Sequence, residues 1–206
     1  MSLRHAILGF LALRPLTGYD LKKYFDASVQ HFWSADQAQI YRTLNQLHRD
    51  GLAEVVAVAQ DGRPDRKEHH ITAAGRGELD AWLAAPDEPP PVHEPFLLKL
   101  FFAGRLPAAG RAALLDARIA AAAERLEVLR AIAGQSVAAL QGPDAADRVM
   151  AAATLENGIR HVAAELDWLR DLRADLEGPS PAAERLSRRL ARLAEDGPRD
   201  LPEGAS

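Results

Sequence analysis

The sequence predicts a mainly α-helical protein in two parts, a small N-terminal unit of short helices with one β-hairpin and a C-terminal unit of long paired helices. Three observations predict it. Apolar stripes at helical spacing occur three times before Asp50, with short connections between them. A β-branched run over 53–59 leads into the turn dipeptide Asp61-Gly62. Beyond a proline-rich stretch at 85–92, apolar residues step by four and three along two further segments.

In the first helix Leu3, Ile7 and Leu11 form the stripe, with Leu8 and Phe10 beside it, and Pro15 stops it at Arg14. Pro15-Leu16-Thr17-Gly18 is a turn. Thr17 with Asp20 reads as a capping pair that starts a second helix, whose stripe is Leu21, Tyr24 and Phe25 and whose Lys22 and Lys23 lie off it. A loop from Ala27 to Trp33 follows. The third helix is read from Ser34, paired with Gln37 in a capping box, so that it begins near Ala35. Ile40, Leu44 and Leu47 are its buried stripe, and Gly51 is its left-handed stop. The opposite face carries Ala38, Gln39, Arg42, Asn45, Gln46 and Arg49. Small residues admit close approach to a groove, glutamine pairs with adenine, and arginine pairs with guanine or phosphate. An ordinary solvated helix face looks the same in isolation, so the neighbouring elements decide.

Residues 53–59 form a strand, Asp61-Gly62 turns it, Arg63 to Lys67 extend the turn, and Lys67 to Ile71 return as the paired strand. The hairpin then has a basic tip of Arg63, Arg66 and Lys67. Thr72 caps a fourth helix through Leu79, Trp82 and Leu83. Three helices, a basic hairpin and a closing helix make a winged helix-turn-helix domain over residues 1–85, with the third helix as groove reader and the wing as phosphate clamp. The expected DNA side comprises Lys22, Lys23, Ser34, Gln37, Ala38, Gln39, Tyr41, Arg42, Asn45, Gln46, Arg63, Arg66 and Lys67. The expected partner is double-stranded DNA carrying a palindromic site. A winged-helix adaptor docking to protein, or a helical dimer that sequesters a ligand, are the competing readings, and the first would leave the basic wing unexplained.

Leu8-Gly9, Gly18-Tyr19-Asp20-Leu21, Trp33, Ile40-Tyr41 with Leu44 and Leu47, Gly51-Leu52, Gly62-Arg63 and Ile71-Thr72 with Gly75 together resemble the PadR family of bacterial transcriptional regulators. Two positions depart from the family pattern: Arg42 follows Tyr41 where proline is common, and His69 stands where the second wing strand usually has tyrosine. The resemblance implies a dimeric repressor, with small aromatic acids or toxic, drug-like molecules as effectors.

In the second half, 86–94 is a stiff proline-rich linker. Phe96, Leu97, Leu98, Leu100, Phe101 and Phe102 are apolar nearly all round, which predicts a short helix sandwiched between domains and broken by Gly104 to Pro107. One long helix from Pro107 to about Leu140 carries Leu115, Ile119, Ala122, Leu126 and Leu129, and another from Ala145 carries Leu155, Ile159, Val162, Leu166, Leu169 and Leu176. Gln141-Gly142-Pro143-Asp144 joins them. Two such seams are expected to need a second copy of the chain, which places dimerisation on Leu115, Ile119, Leu126, Leu129, Leu155, Ile159, Val162, Leu166 and Leu169. The Phe96 to Phe102 stretch and Trp168-Leu169 extend the resemblance, to longer PadR-type proteins with a C-terminal helical dimerisation and effector domain at 95–177. That resemblance lets Phe96, Phe101 and Trp168 line an effector pocket. In the tail, 178–206, Leu186, Leu190 and Leu193 predict one short helix, and the chain from Gly197 reads as disordered.

Composition narrows the chemistry. The net charge is −4, yet residues 1–85 carry ten basic and ten acidic side chains, so the surplus acid lies wholly in the second half. No cysteine is present, which removes thiolate metal sites and cysteine nucleophiles. No phosphate-binding glycine loop or nucleophile elbow occurs, so no enzyme, cofactor or metal is expected. His69-His70 point to opposite faces of a strand and chelate poorly together. Trp33, Trp82 and Trp168 read as core or interface residues. The N-terminal apolar run is too short to span a bilayer, and a cytoplasmic protein without a membrane partner is expected.

Overall fold

The computed structural model describes residues 2–30, 32–60, 63–86, 93–139, 145–177 and 182–195. The chain divides into two compact units, 1–92 with 136–158, and 93–135 with 159–206.

In the first unit α1 (Ser2–Leu13), α2 (Gly18–Ser28) and α3 (Gln37–Arg49) are followed by β1 (Ala53–Gln60), β2 (Arg63–Ile71) and α4 (Ala73–Ala84). Their common core is the set of stripes expected from spacing: Ile7 and Leu11 of α1, Leu21 and Phe25 of α2, and Ile40, Leu44 and Leu47 of α3 are all at most 2% exposed. Thr17 caps α2 and Thr72 caps α4, each hydroxyl accepting the backbone N–H three residues on, from Asp20 at 3.0 Å and Gly75 at 3.1 Å. Gly51 adopts φ 71°, the left-handed stop after α3. Arg4 of α1 joins Asp50, just past α3, and Glu78 of α4, pinning three elements together.

Several expectations change. The third helix does not begin from Ser34: Asp36 is its N-cap, donating its N–H to Gln39 Oε1 at 3.0 Å while accepting from the Gln39 N–H at 2.7 Å. Two overlapping capping boxes were available, Ser34 with Gln37 and Asp36 with Gln39, and Ala35, buried ahead of α3, goes with the later one. Tyr24 is not part of the α2 core but 40% exposed, with the Arg14 guanidinium over its ring at 4.2 Å. Trp82 and Leu83 are likewise exposed, and Trp82 stacks on His5 with centroids 4.7 Å apart. Arg63 to Lys67 are not an extended turn; they belong to β2, which pairs Ala57 with Lys67, Val58 with Arg66 and Gln60 with Arg63. Pro64 and Asp65 fall at the register irregularity between the Val58 and Gln60 pairs, where residues of low strand preference are tolerated. Asp61-Gly62 lies outside the described residues. Leu16 adds a bridge the sequence did not disclose, exchanging backbone hydrogen bonds with His69 at 3.2 and 2.8 Å.

Beyond the linker α5 (Pro95–Phe102) leads through the 3₁₀ turn Ala103–Arg105 to α6 (Ala108–Ala139), α7 (Ala145–Glu177) and α8 (Ala182–Glu195), and the second unit holds α5, α6 through residue 135, α7 from residue 159 and α8. α6 and α7 run antiparallel there, tied by Arg118 to Glu165 and Arg173 to Asp116. Asp175, buried near the end of α7, holds Arg185 and Arg189 of α8. The linker from Asp87 to Val92, the hairpin at 140–144, the Gly178 to Pro181 break and the chain from Asp196 lie outside the described residues.

The apolar seams also differ from expectation. Leu115, Leu126, Leu129, Leu155, Val162, Leu166 and Leu169 are buried within a single chain, and Ile119 and Ile159 are partly so. The burial argument for a second copy therefore does not rest on them. Among the described residues α5 is the most apolar helix left uncovered: Phe96 is buried, but Leu98, Phe101 and Phe102 are 63, 80 and 57% exposed, while Val149 and Met150 of α7 and Leu190 and Leu193 of α8 are exposed as well. Trp33 and Trp168 are also partly exposed and not core.

Candidate nucleic-acid interface

α3 offers its outer face in three segments that differ in how their side chains are occupied. At the N-terminal end Ser34, Gln37 and Ala38 are exposed, Ser34 before the helix, and the Gln39 amide oxygen is committed to the cap. At the C-terminal end Gln46 donates to Asp50 at 2.6 Å and accepts from Arg49 at 2.5 Å, so its amide is already satisfied at both atoms. Between them Arg42 and Asn45 are exposed and make no hydrogen bond or ion pair among the described residues. These two retain the donors and acceptors that base edges need.

Beside that face lies an open depression of about 700 Å³, lined by Thr17, Gly18, Tyr19 and Asp20 of the α2 start, Tyr41, Asn45 and His48 of α3, Val55 of β1, and Arg66, Lys67 and His69 of β2. A helix start carries partial positive charge, which at α2 is offset by the Asp20 carboxylate lining the same depression, so the attraction there for an anion comes chiefly from the wing cations Arg66 and Lys67. Tyr41 reaches this depression because position 18 is glycine: a Cβ there would come within 2.6 Å of the Tyr41 ring. Lys67 makes no ion pair among the described residues, whereas the Arg66 guanidinium pairs with Glu68 on the same strand face. The side chain of Arg63 lies outside the described residues. On α2, Lys22 pairs with Asp26, and Lys23 sits over the exposed Tyr19 ring at 4.6 Å from its centroid.

His69 lies at the back of the depression, 9% exposed, with Nδ1 lacking a hydrogen-bond partner. Burial chiefly, and then the neighbouring His48 and His70, hold its pKa below the ordinary histidine value. Among the described residues no three His, Asp or Glu side chains are grouped to hold a metal ion, and no helix is long and apolar enough to cross a membrane.

The sequence named Asn45 and Lys67 among its expected contacts but did not place the α2 start beside them, and Arg42 lies apart from this depression, beside Ser34, Gln39 and Thr43. The signal was Gly18 itself, since a residue without a Cβ lets the Tyr41 ring pack against the α2 start.

A separate cavity of about 380 Å³ lies in the second unit, lined by Glu94, Phe96, Leu97, Arg118, His161, Ala164, Glu165 and Trp168. Of the three expected pocket residues it gathers Phe96 and Trp168, while Phe101 projects elsewhere into solvent. The difference follows from spacing, since residues 96 and 101 are five apart and at 100° per residue fall on different faces of α5.

Residues 7–81 match the model of the transcriptional regulator PadR-like family, and residues 92–177 match that of the virulence activator alpha C-terminal domain. A probable transcriptional regulator of Mycobacterium tuberculosis is 34% identical over 186 residues, which span 86% of this chain and 98% of that one. Among solved structures, Bacillus subtilis PadR in complex with operator DNA superposes with a TM-score of 0.77 at 26% identity, covering 85% of this chain and 99% of that chain. The same protein in complex with p-coumaric acid gives 0.73 at 25% identity, over 86% and 100% of the two chains. The Vibrio cholerae virulence activator AphA gives 0.70 at 29% identity, over 85% and 98%.

Proposed function

The chain belongs to the PadR-like family of transcriptional regulators, and on that premise we propose that it is a homodimeric repressor that grips a palindromic operator and is released by a small molecule. The observation that carries the reading is the convergence of the α2 start, Tyr41 and Asn45 of α3 and the β2 cations Arg66 and Lys67 around one depression, with Arg42 on the adjoining stretch of α3 beside Ser34 and Gln39. Arg42 and Asn45 read base edges, Tyr41 and Lys67 hold flanking phosphates, and Gln39 orders the helix start. Ser34, Gln37, Ala38, Lys22 and Lys23, none of which lines that depression, contribute chiefly through approach and charge. The B. subtilis relative's complex with operator DNA supports the DNA assignment, and its complex with p-coumaric acid supports an effector.

The dimer is assigned to the uncovered side of α5, where Leu98, Phe101 and Phe102 present apolar surface that a partner would bury. Two recognition helices then face successive turns of the major groove, about 34 Å apart. An effector in the Phe96 and Trp168 cavity would favour a different spacing, and a coupling of about 1–3 kcal/mol is enough to lower occupancy five- to a hundredfold. Mobility shift with DNA from upstream of the chain's own coding region tests the reading. A retarded band that weakens steeply with salt is expected, and binding no tighter than to unrelated DNA would refute sequence-specific regulation.

A second reading, activation in place of repression, is favoured by the match of residues 92–177 to a virulence activator domain and by the likeness to AphA. Transcription from the bound promoter, measured with and without the protein, separates the two.

A further inference from the structure

The cavity between α5, α6 and α7 has a charge imbalance that specifies what it can hold. Its one guanidinium, Arg118, is already engaged: Nε donates to Glu165 Oε1 at 2.7 Å, and the group lies 5.0 Å from the Phe96 ring centroid. Glu94 stands 3.9 Å from the same guanidinium. Two carboxylates thus face one guanidinium, with the His161 imidazole as the remaining titratable group of the lining, beside the aromatic surfaces of Phe96 and Trp168. A carboxylate ligand would have either to displace Glu165 from Arg118 Nε and Nη2 or to take the remaining Nη1 edge, and in both cases it would sit close to two like charges. An aromatic cation meets neither obstacle, since it stacks on the rings and offsets the surplus negative charge. The volume of about 380 Å³ is at the small end of ligand sites and fits a compact planar molecule.

We propose that this cavity binds a small planar aromatic cation and discriminates against aromatic acids, unlike the site that takes p-coumaric acid in the B. subtilis relative. The inference rests on the reading of the cavity as the effector site. Bicyclic probes of matched size test it: 1-methylquinolinium as the cation, quinoline at pH 8 as the neutral form and 1-naphthoate as the acid, each titrated calorimetrically into the full chain without DNA. The cation is expected to bind at least tenfold more tightly than the acid. Glu165→Gln, which deletes one carboxylate and frees Arg118, should erase most of that preference, and Trp168→Leu should weaken all three probes. Equal or tighter binding of 1-naphthoate by the parent chain, no binding of any probe, or a preference unmoved by Glu165→Gln would each overturn the proposal. Release of operator DNA is scored separately. A cation that binds with the expected selectivity but leaves operator occupancy unchanged supports the cavity's chemistry and overturns the effector-release reading, whereas release driven by the acid alone supports that reading and overturns the proposal.

Discussion

Adding one methyl group at each of two glycines should separate the DNA surface from the scaffold that carries it. At Gly75 a Cβ would meet the Leu52 carbonyl oxygen at 2.2 Å and Ile71 Cγ1 at 2.9 Å. The oxygen belongs to backbone that is itself held by the Thr72 N–H at 3.0 Å, so relief requires α4 to move away from the start of β1. Overpacking of this kind costs about 1–3 kcal/mol, at the upper end here because the nearest atom is backbone, so about 2 kcal/mol remains after the roughly 1 kcal/mol that alanine gains over glycine within a helix. For a chain of this size each 1 kcal/mol lowers the melting midpoint by about 2–4 °C. At Gly18 the obstacle is different: the Tyr41 ring, 2.6 Å from the added Cβ, is the far end of a side chain that is 40% exposed and free to swing aside. Gly18→Ala should therefore leave the midpoint within a few degrees of the parent, as expected for a change of about 0.5 kcal/mol or less. Its effect should fall on DNA, because Tyr41 is displaced from the depression that faces the wing, at a cost of about 1–3 kcal/mol in operator affinity. Thermal unfolding by circular dichroism and fluorescence anisotropy with labelled operator measure the two quantities. A Gly18→Ala protein that binds operator as the parent does, or a Gly75→Ala protein as stable as the parent, would refute the reasoning.

Arg42→Ala and Asn45→Ala should each weaken the cognate site by about 1–3 kcal/mol and relax base preference, while Gln39→Ala should also lower stability by about 1 kcal/mol through its cap, as footprinting and chemical denaturation together would show. Lys67→Gln should reduce the slope of log affinity against log salt by about one unit for specific and unrelated DNA alike, and Arg66→Gln by less because Glu68 already engages that guanidinium; an unchanged slope removes the wing from the interface. Because the folded state holds the His69 pKa down, the unfolded chain binds the extra proton first, so stability should be intact above about pH 7 and fall as pH drops below the ordinary histidine value of about 6.5. The His69 contribution to that slope cannot exceed about 1.4 kcal/mol per pH unit and should vanish in a folded His69→Phe variant. Phe101→Glu, placed on the uncovered side of α5, should convert the proposed dimer to monomer in sedimentation without lowering helical content; a dimer that persists would move the interface elsewhere.

The sequence by itself determined the elements and their order. Stripes at 7 and 11, 21 and 25, and 40, 44 and 47 could be buried only as helices, and Thr17, Thr72 and Gly51 set boundaries through bonds to backbone within three residues or through a single backbone dihedral. Such interactions are local, so their pattern survives in one dimension. Tertiary structure decided wherever two local solutions were close in energy or a surface needed a distant partner. It selected Asp36 over Ser34 as the α3 cap, which committed the Gln39 amide oxygen to the helix start, while the Arg42 and Asn45 side chains stay unengaged as the proposed readers. It extended β2 through Arg66 and Lys67 by pairing them with β1, and it brought the α2 start beside them through the Leu16 and His69 bridge. It also turned the seams of α6 and α7 inward and left α5 uncovered, because an apolar stripe states that a face must be buried and does not state against what.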